Sequence, residues 1–284
     1  MELGESEDRG SVEDRRGSKA PLAIGGGIGA IVLALVGAYF GVDLNQFAGN
    51  GGGGPATQGT GKADGYKDFS EKLLGSTNHV WKDQFEKNQY THHRGAYEPP
   101  KMVLFSQSVD SEGCGVAPSA VGPFYCPISK KVFLDPTFFE ELETKLGGSK
   151  AEFSQAYVIG HEVGHHVQHL LGYSSDKYVN RDGKANAGIR MELQADYLAG
   201  VWAHDAKDKL KINTHDIEEA LKTARSIGDN RIQEKMKGKS WPESFTHGTD
   251  EQRLRNFKQG FDTGDASEAK LDKFFDPKVK PLDL

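Results

Sequence analysis

The stretch YVIGHEVGHHVQHLLG, residues 157–172, sets His161, Glu162, His165 and His166 in an otherwise apolar helical frame. Two readings compete: a helix that binds a metal, or a core helix that happens to be rich in histidine. Within it, His161-Glu162-Val163-Gly164-His165 has the form H-E-x-x-H. A step of four residues on an α-helix returns a side chain to nearly the same face. Two imidazoles so spaced reach one zinc ion, and the glutamate beside the first can contact a zinc-bound water as general base. Gly160 and Gly164 leave room for another element to approach. His166 and His169 fall elsewhere on the helix and read as incidental to a metal.

A catalytic zinc usually takes three protein ligands and a water. Downstream, MELQADYLAG (191–200) offers Glu192 and Asp196, four residues apart on one helical face. Glu192 as the third ligand leaves Asp196 to accept a hydrogen bond from a ligand imidazole, which fixes the ring's tautomer and orientation. The alternative is a solvated carboxylate pair, and the Ala- and Leu-rich body of that helix argues against it.

The rest of the chain sets the context. It has 284 residues, 27% charged, with a net charge of −6. That leaves no basic excess to bind nucleic acid. From Ala20 to Val42 the run APLAIGGGIGAIVLALVGAYFGV has no charged residue. About 20 apolar residues cross a ~30 Å hydrocarbon core as a helix, so a transmembrane helix is expected, and a cleaved signal peptide is disfavoured by the length of the run. Arg9, Arg15, Arg16 and Lys19 precede it. By the positive-inside rule they place a short N-terminus in the cytoplasm and the rest outside it, in the periplasm or beyond the cell. The expected organisation is a cytoplasmic tail at 1–19, a membrane helix at 20–42, a Gly-rich linker at 43–65 and one folded domain at 66–284. A small-residue pattern at Gly25 and Gly29 leaves the oligomeric state open.

Helical spacing marks 67–90, with a break at Gly75, then 136–147, 150–172, 188–209, 214–229 with Thr214 as N-cap, and 251–264. Extended patterning marks 101–109 and a hairpin at 124–135 that turns through Pro127–Lys130. The expected class is α+β, mostly helical with a small β-sheet. Cys114 and Cys126 bracket a Gly- and Pro-containing loop, and outside the cytosol a disulfide is the preferred reading over a share in a metal site. His92 and His93 read as a surface loop rather than a second metal site. His204 and His215 read as solvent-facing, and Trp81, Trp202 and Trp241 as packing residues. An extended substrate is expected to add to a strand edge near 103–107 or 131–134.

VEDRRG (12–17) before a glycine-rich span, GPFYCP (122–127), VFLD (132–135), YVIGHEVGHHVQ (157–168), ELQADYLAG (192–200) and FTHGTDEQR (245–253) together resemble the putative neutral zinc metallopeptidase family of bacterial membrane-anchored proteins. The pair of metal motifs looks like the gluzincin pattern. The resemblance implies a zincin-like domain with one Zn2+ held by His161, His165 and Glu192. It gives Glu162 the role of activating water and Asp196 that of orienting His161. It also implies that His247 steadies an oxyanion, with Arg253 as a structural or stabilising partner; the plain alternative for His247 is a loop residue beside Thr249. The expected function is a membrane-anchored zinc endopeptidase acting on a peptide or protein, with amide hydrolysis of a non-protein substrate such as cell-wall peptide as an alternative. The competing expectation is a membrane-tethered zinc-binding scaffold without hydrolytic activity.

Overall fold

A computed structural model describes residues 1–3, 9–17, 64–88, 90–91, 95–237, 239–241 and 245–284. The expected membrane helix at 20–42, nearly all of the linker at 43–65, and His92 and His93 lie outside these residues. Among the described residues, no helix is long and apolar enough to cross a membrane.

One four-stranded sheet organises the chain, in the order β1-β2-β6-β5. β1 (Val12–Asp14), β2 (Lys101–Leu104) and β6 (Lys131–Leu134) run parallel, and β5 (Phe124–Cys126) closes antiparallel on β6. Residues Met102, Val103, Leu104, Val132, Phe133 and Leu134 are all fully buried. An unbroken apolar run of this kind belongs to strands covered on both faces. The two-residue period of a strand then divides them. Met102, Leu104, Val132 and Leu134 join the main core with the helices. Val103 and Phe133 face the other way, into a smaller core with Phe105 and Cys126. The hairpin β3 (Ser108–Asp110) and β4 (Val116–Pro118) belongs to this second layer.

Around the sheet lie α1 (Tyr66–Asn88), α2 (Phe138–Glu141), α3 (Glu152–Leu170), α4 (Val179–Asp182), α5 (Lys184–Ala206), α6 (Thr214–Ser226), α7 (Asp229–Lys237), α8 (Asp250–Thr263) and α9 (Glu268–Asp272). This is a mostly helical α+β fold. α2 widens into a π turn over Leu142–Leu146 and stops at Gly147, whose φ is +75°. Phe153, Tyr157 and Val167 bury one side of α3.

Several local expectations change. α1 runs through Gly75 without a break, because a single glycine costs only ~1 kcal/mol against alanine and burial of Leu73, Leu74, Val80 and Trp81 outweighs it. The N-cap of α6 is Asn213, not Thr214: the Asn213 side chain accepts from the Asp216 amide, and Asp216 returns the bond in a capping box. His204 is not free in solvent, since its Nδ1 meets the Phe261 carbonyl at 2.6 Å. The strands expected to offer an edge to substrate, β2 and β6, are interior, and β5 is the outer strand on that side of the sheet. The largest departure is at the start of the chain. The segment expected as a separate tail supplies β1, which pairs in register with β2, Val12 against Met102 and Asp14 against Leu104. Only Val12 in VEDRRG carries an apolar signal, so the strand is dictated by its partner's open edge rather than by its own pattern.

Candidate metal centre

α3 and α5 cross with almost no space between them. A Cβ on Gly164 would sit 2.9 Å from the Ala195 carbonyl oxygen, so only glycine permits this approach. The crossing sets the His161–His165 face of α3 against the Glu192–Asp196 face of α5. A second close crossing joins α5 to α8, where a Cβ on Gly200 would lie 2.1 Å from the Phe257 carbonyl oxygen. That contact brings Arg253 beside Asp196.

The result is a convergent donor set. Nε2 of His161 lies 3.2 Å from Glu192 Oε2, and Nε2 of His165 lies 3.5 Å from Glu192 Oε1. One ligand atom from each of the three residues falls within 4.8 Å of the others, a grouping that among the described residues occurs at this one place. The outer nitrogen of each ring is already engaged. His161 Nδ1 meets Asp196 Oδ1 at 2.8 Å, and His165 Nδ1 meets Gln168 Oε1 at 2.8 Å. With Nδ1–H donated outward, both rings present Nε2 lone pairs to the same point, which is the tautomer a metal ligand needs.

Behind the ligands sits a buried polar cluster. Asp196 is fully buried and accepts the Tyr157 hydroxyl at 2.6 Å and the Arg253 guanidinium at 2.8 and 2.9 Å. Gln168, also fully buried, donates to the Met191 carbonyl at 2.7 Å and to Gln194 at 3.0 Å, tying His165 to the turn that carries Glu192. Arg253 is thus placed on Asp196, behind His161.

The electrostatics favour a cation. Glu162, Glu192 and Asp196 bring three carboxylates together against the Arg253 guanidinium. Burial opposes charge on His161, but Asp196 and then Glu192 outweigh it and push the ring up to about 10. Burial would likewise raise Glu192, yet His165, with hydrogen bonds to both rings, holds it well below the usual carboxylate range. Arg253, followed by His161, lowers Asp196 against the same burial. Glu162 goes the other way: burial pushes its carboxyl up despite His165 and His161 nearby. A site that stabilises protons on its imidazoles in this way answers the same negative field that a divalent ion would satisfy. Two imidazole nitrogens and a carboxylate oxygen are the donor types of a catalytic zinc, so the residues present fit that ion.

His247 approaches from the loop before α8. Its Nδ1 lies 3.2 Å from Asp229 Oδ1 and 2.9 Å from the Thr246 hydroxyl. The other Asp229 oxygen accepts the backbone N–H groups of Thr246, His247 and Gly248 at 2.6, 2.6 and 3.0 Å. Asp229 therefore fixes both the loop and the ring. Burial disfavours a charged His247, and the Asp229 hydrogen bond, followed by the charge of Glu192, outweighs it and raises the ring above its ordinary value.

Cys114 and Cys126 are joined, with Cα atoms 5.9 Å apart, and so staple the outer strand β5 to the loop that follows β3. His166 is fully buried and serves structure: its Nε2 meets the Glu98 carbonyl at 2.6 Å and its Nδ1 meets the Tyr125 hydroxyl at 2.9 Å. Burial holds that ring down at about 4. Tyr157, Gln168 and Asp229 are site residues the sequence reading missed. Tyr157 and Gln168 stand four and three positions from His161 and His165 on the same helix, a spacing that marks facing side chains. Asp229 has no such signal, lying 18 residues from His247 with α7 between them.

A family model described as putative neutral zinc metallopeptidase matches residues 1–274. The chain is 39% identical over 279 residues to "Uncharacterized protein YpfJ" of Escherichia coli K12, covering 91% of this chain and 94% of that protein. It is 44% identical over 179 residues to "Uncharacterized protein Rv2575" of Mycobacterium tuberculosis H37Rv, covering 60% of this chain and 61% of that protein. No solved structure matches the chain.

Proposed function

The chain belongs to the putative neutral zinc metallopeptidase family, and on that premise we propose that it is a zinc-dependent endopeptidase with Glu162 as general base. The observation that carries the reading is the convergence of His161 and His165 Nε2 on Glu192, with Glu162 buried beside them. These three residues would hold the ion. Bound there, zinc supplies a water that ionises near neutral pH and a Lewis acid for the scissile carbonyl.

The chain's own groups then have distinct tasks. Glu162, with its carboxyl raised by burial, takes a proton from the attacking water and delivers it to the leaving amine. His247, held by Asp229, donates to the oxyanion that develops on the substrate carbonyl. Asp196 and Gln168 keep the two ligand rings in the metal-binding tautomer. Tyr125 on β5 bonds to His166 beside the second ligand, so an extended peptide pairing along β5 would run past the site. The Cys114–Cys126 disulfide supports a workplace outside the reducing cytosol.

The scaffold reading is weaker, because a structural zinc site is closed by four protein ligands. Here three such residues converge among the described residues, and a buried Glu162 adjoins them. Glu162→Gln in the full chain separates the two. It should keep zinc and lose peptide hydrolysis; hydrolysis at the wild-type rate would remove Glu162 as the base.

A further inference from the structure

The π turn that ends α2 leans on α6 at one tight point. A Cβ on Gly148 would lie 2.7 Å from both the Leu142 side chain and the Ser226 hydroxyl, so the two elements touch through a glycine. Beside that contact they part. A cavity of about 460 Å3 opens between the π turn, α6, the start of α7 and α8. Its size falls in the ~300–1,000 Å3 range of small-molecule sites. It lies apart from the metal centre: its lining includes none of His161, His165 and Glu192, and no residue that bonds to them.

The walls are apolar and the mouth is charged. Leu146 of the π turn, Leu221 of α6 and Leu254 of α8 line the cavity, each of them partly buried. On α6, Glu218, Leu221, Lys222 and Arg225 recur at the three- and four-residue steps that keep side chains on one face. The three charged members are exposed, as on an ordinary solvated helix face. Here, though, Leu221 interrupts the charges, and leucines from two other elements share the cavity with it.

The charges at the mouth do not cancel. Arg231, at the start of α7, gives its Nε to Asp250 Oδ2 at 2.8 Å. Glu234 and Glu251 also stand near Arg231, but neither lines the cavity. Arg231 is thus already balanced. Among the described residues Lys222 and Arg225 enter no ion pair, and Glu218 is the one carboxylate of the lining. Lys222 follows Glu218 by one helical turn and Arg225 by two, so positive charge collects toward the Arg225 end. Apolar walls that end in unmatched cations complement an anion with an apolar body.

We propose that this cavity binds a small organic monoanion, an alkyl or aromatic body that ends in a carboxylate. The body lies against Leu146, Leu221 and Leu254, and the carboxylate meets Lys222 and Arg225. This inference is independent of the peptidase reading. Calorimetric titration of the full chain with octanoate tests it. Octanoate should bind saturably, with acetate and octylammonium at least about tenfold weaker, because acetate lacks the body and octylammonium the charge. Absence of saturable octanoate binding, or equal binding of either comparison compound, overturns the proposal. Lys222→Glu combined with Arg225→Glu, both at exposed positions, should weaken octanoate by roughly tenfold or more. Lys82→Glu, exposed on α1, should not, and equal effects of the two changes would reduce the binding to general charge and overturn the site. Octanoate should bind as well after chelation of the metal; loss of binding would put its carboxylate on the metal ion instead. Octanoate that carries a diazirine should crosslink to peptides containing Leu146, Leu221 or Leu254, and crosslinks confined to other peptides would also overturn the assignment.

Discussion

Arg253 holds Asp196 through both carboxylate oxygens, Nε to Oδ2 at 2.8 Å and Nη2 to Oδ1 at 2.9 Å, and that Oδ1 faces His161 Nδ1 at 2.8 Å. Orientation of the first ligand is thereby passed back to α8. Removing one partner of a buried pair leaves the other charge uncompensated, at a cost of about 3–5 kcal/mol. Arg253→Met should lower the melting temperature accordingly. Arg253→Lys keeps a charge but loses the two-pronged grip. It should fold and bind zinc roughly 10–100-fold more weakly, the usual effect of losing a group that orients a ligand. Chelator competition on Arg253→Lys measures this, and wild-type affinity would dissociate Arg253 from the metal site.

Gln168 plays the matching part for His165. Its Oε1 accepts from Nδ1, and its amide nitrogen reaches the Met191 carbonyl next to Glu192. Gln168→Leu removes these two bonds and the one to Gln194, so zinc affinity should again fall roughly 10–100-fold. Gln168→Glu retains an acceptor for Nδ1 and should recover part of that loss. Equal affinities for the two variants would mean that packing, not the hydrogen bond, is what Gln168 supplies.

The two metal motifs were legible because each lies within a single helix turn, where spacing alone fixes the shared face. That Glu192 meets His161 and His165 was a matter of donor chemistry in the sequence, and the Gly164–Ala195 crossing supplies its geometry. Helix positions followed from apolar periodicity for α3, α5 and α8. The polar supports were harder to see: Asp229 acts on His247 across an intervening helix, and periodicity carries no information about such pairs. β1 was invisible for another reason. A charged three-residue strand looks like a solvated tail until the carboxylates and the open strand edge that receive it are known.

Under the proposed function, His247 should give peptide hydrolysis an alkaline limit that depends on Asp229. The hydrogen bond to Asp229 keeps His247 protonated above the ordinary histidine value of ~6.5. Its stabilising effect is complete below that unfolded value and is lost as pH rises through the raised folded one. A charged donor also bonds a developing oxyanion more strongly than a neutral one. Asp229→Asn retains an oxygen for the three loop amides but removes the charge. Its kcat/KM profile should lose the alkaline side at lower pH than the wild type, and the pH dependence of melting should flatten over the same interval. Superimposable profiles would take His247 out of the proton-dependent part of the reaction.

Gly164 tests whether the close crossing of α3 and α5 sets the metal site or only the stability of the fold. An added Cβ there meets the Ala195 carbonyl oxygen at 2.9 Å and the Ala195 Cα at 3.2 Å, both backbone atoms that cannot rotate away. At Gly160, one turn earlier, it meets the Trp202 ring at 3.0 Å, a side chain rather than backbone. Both alanine variants overpack the core, at about 1–3 kcal/mol each. Both press on α5, but Gly164→Ala presses on its backbone three residues from Glu192, whereas Gly160→Ala presses on the Trp202 side chain ten residues away. Gly164→Ala should therefore weaken zinc binding well beyond Gly160→Ala when the two are compared at similar losses of melting temperature. Equal zinc affinities in the two variants would show that the donor set adjusts freely to helix spacing, and that the glycine is kept for packing alone.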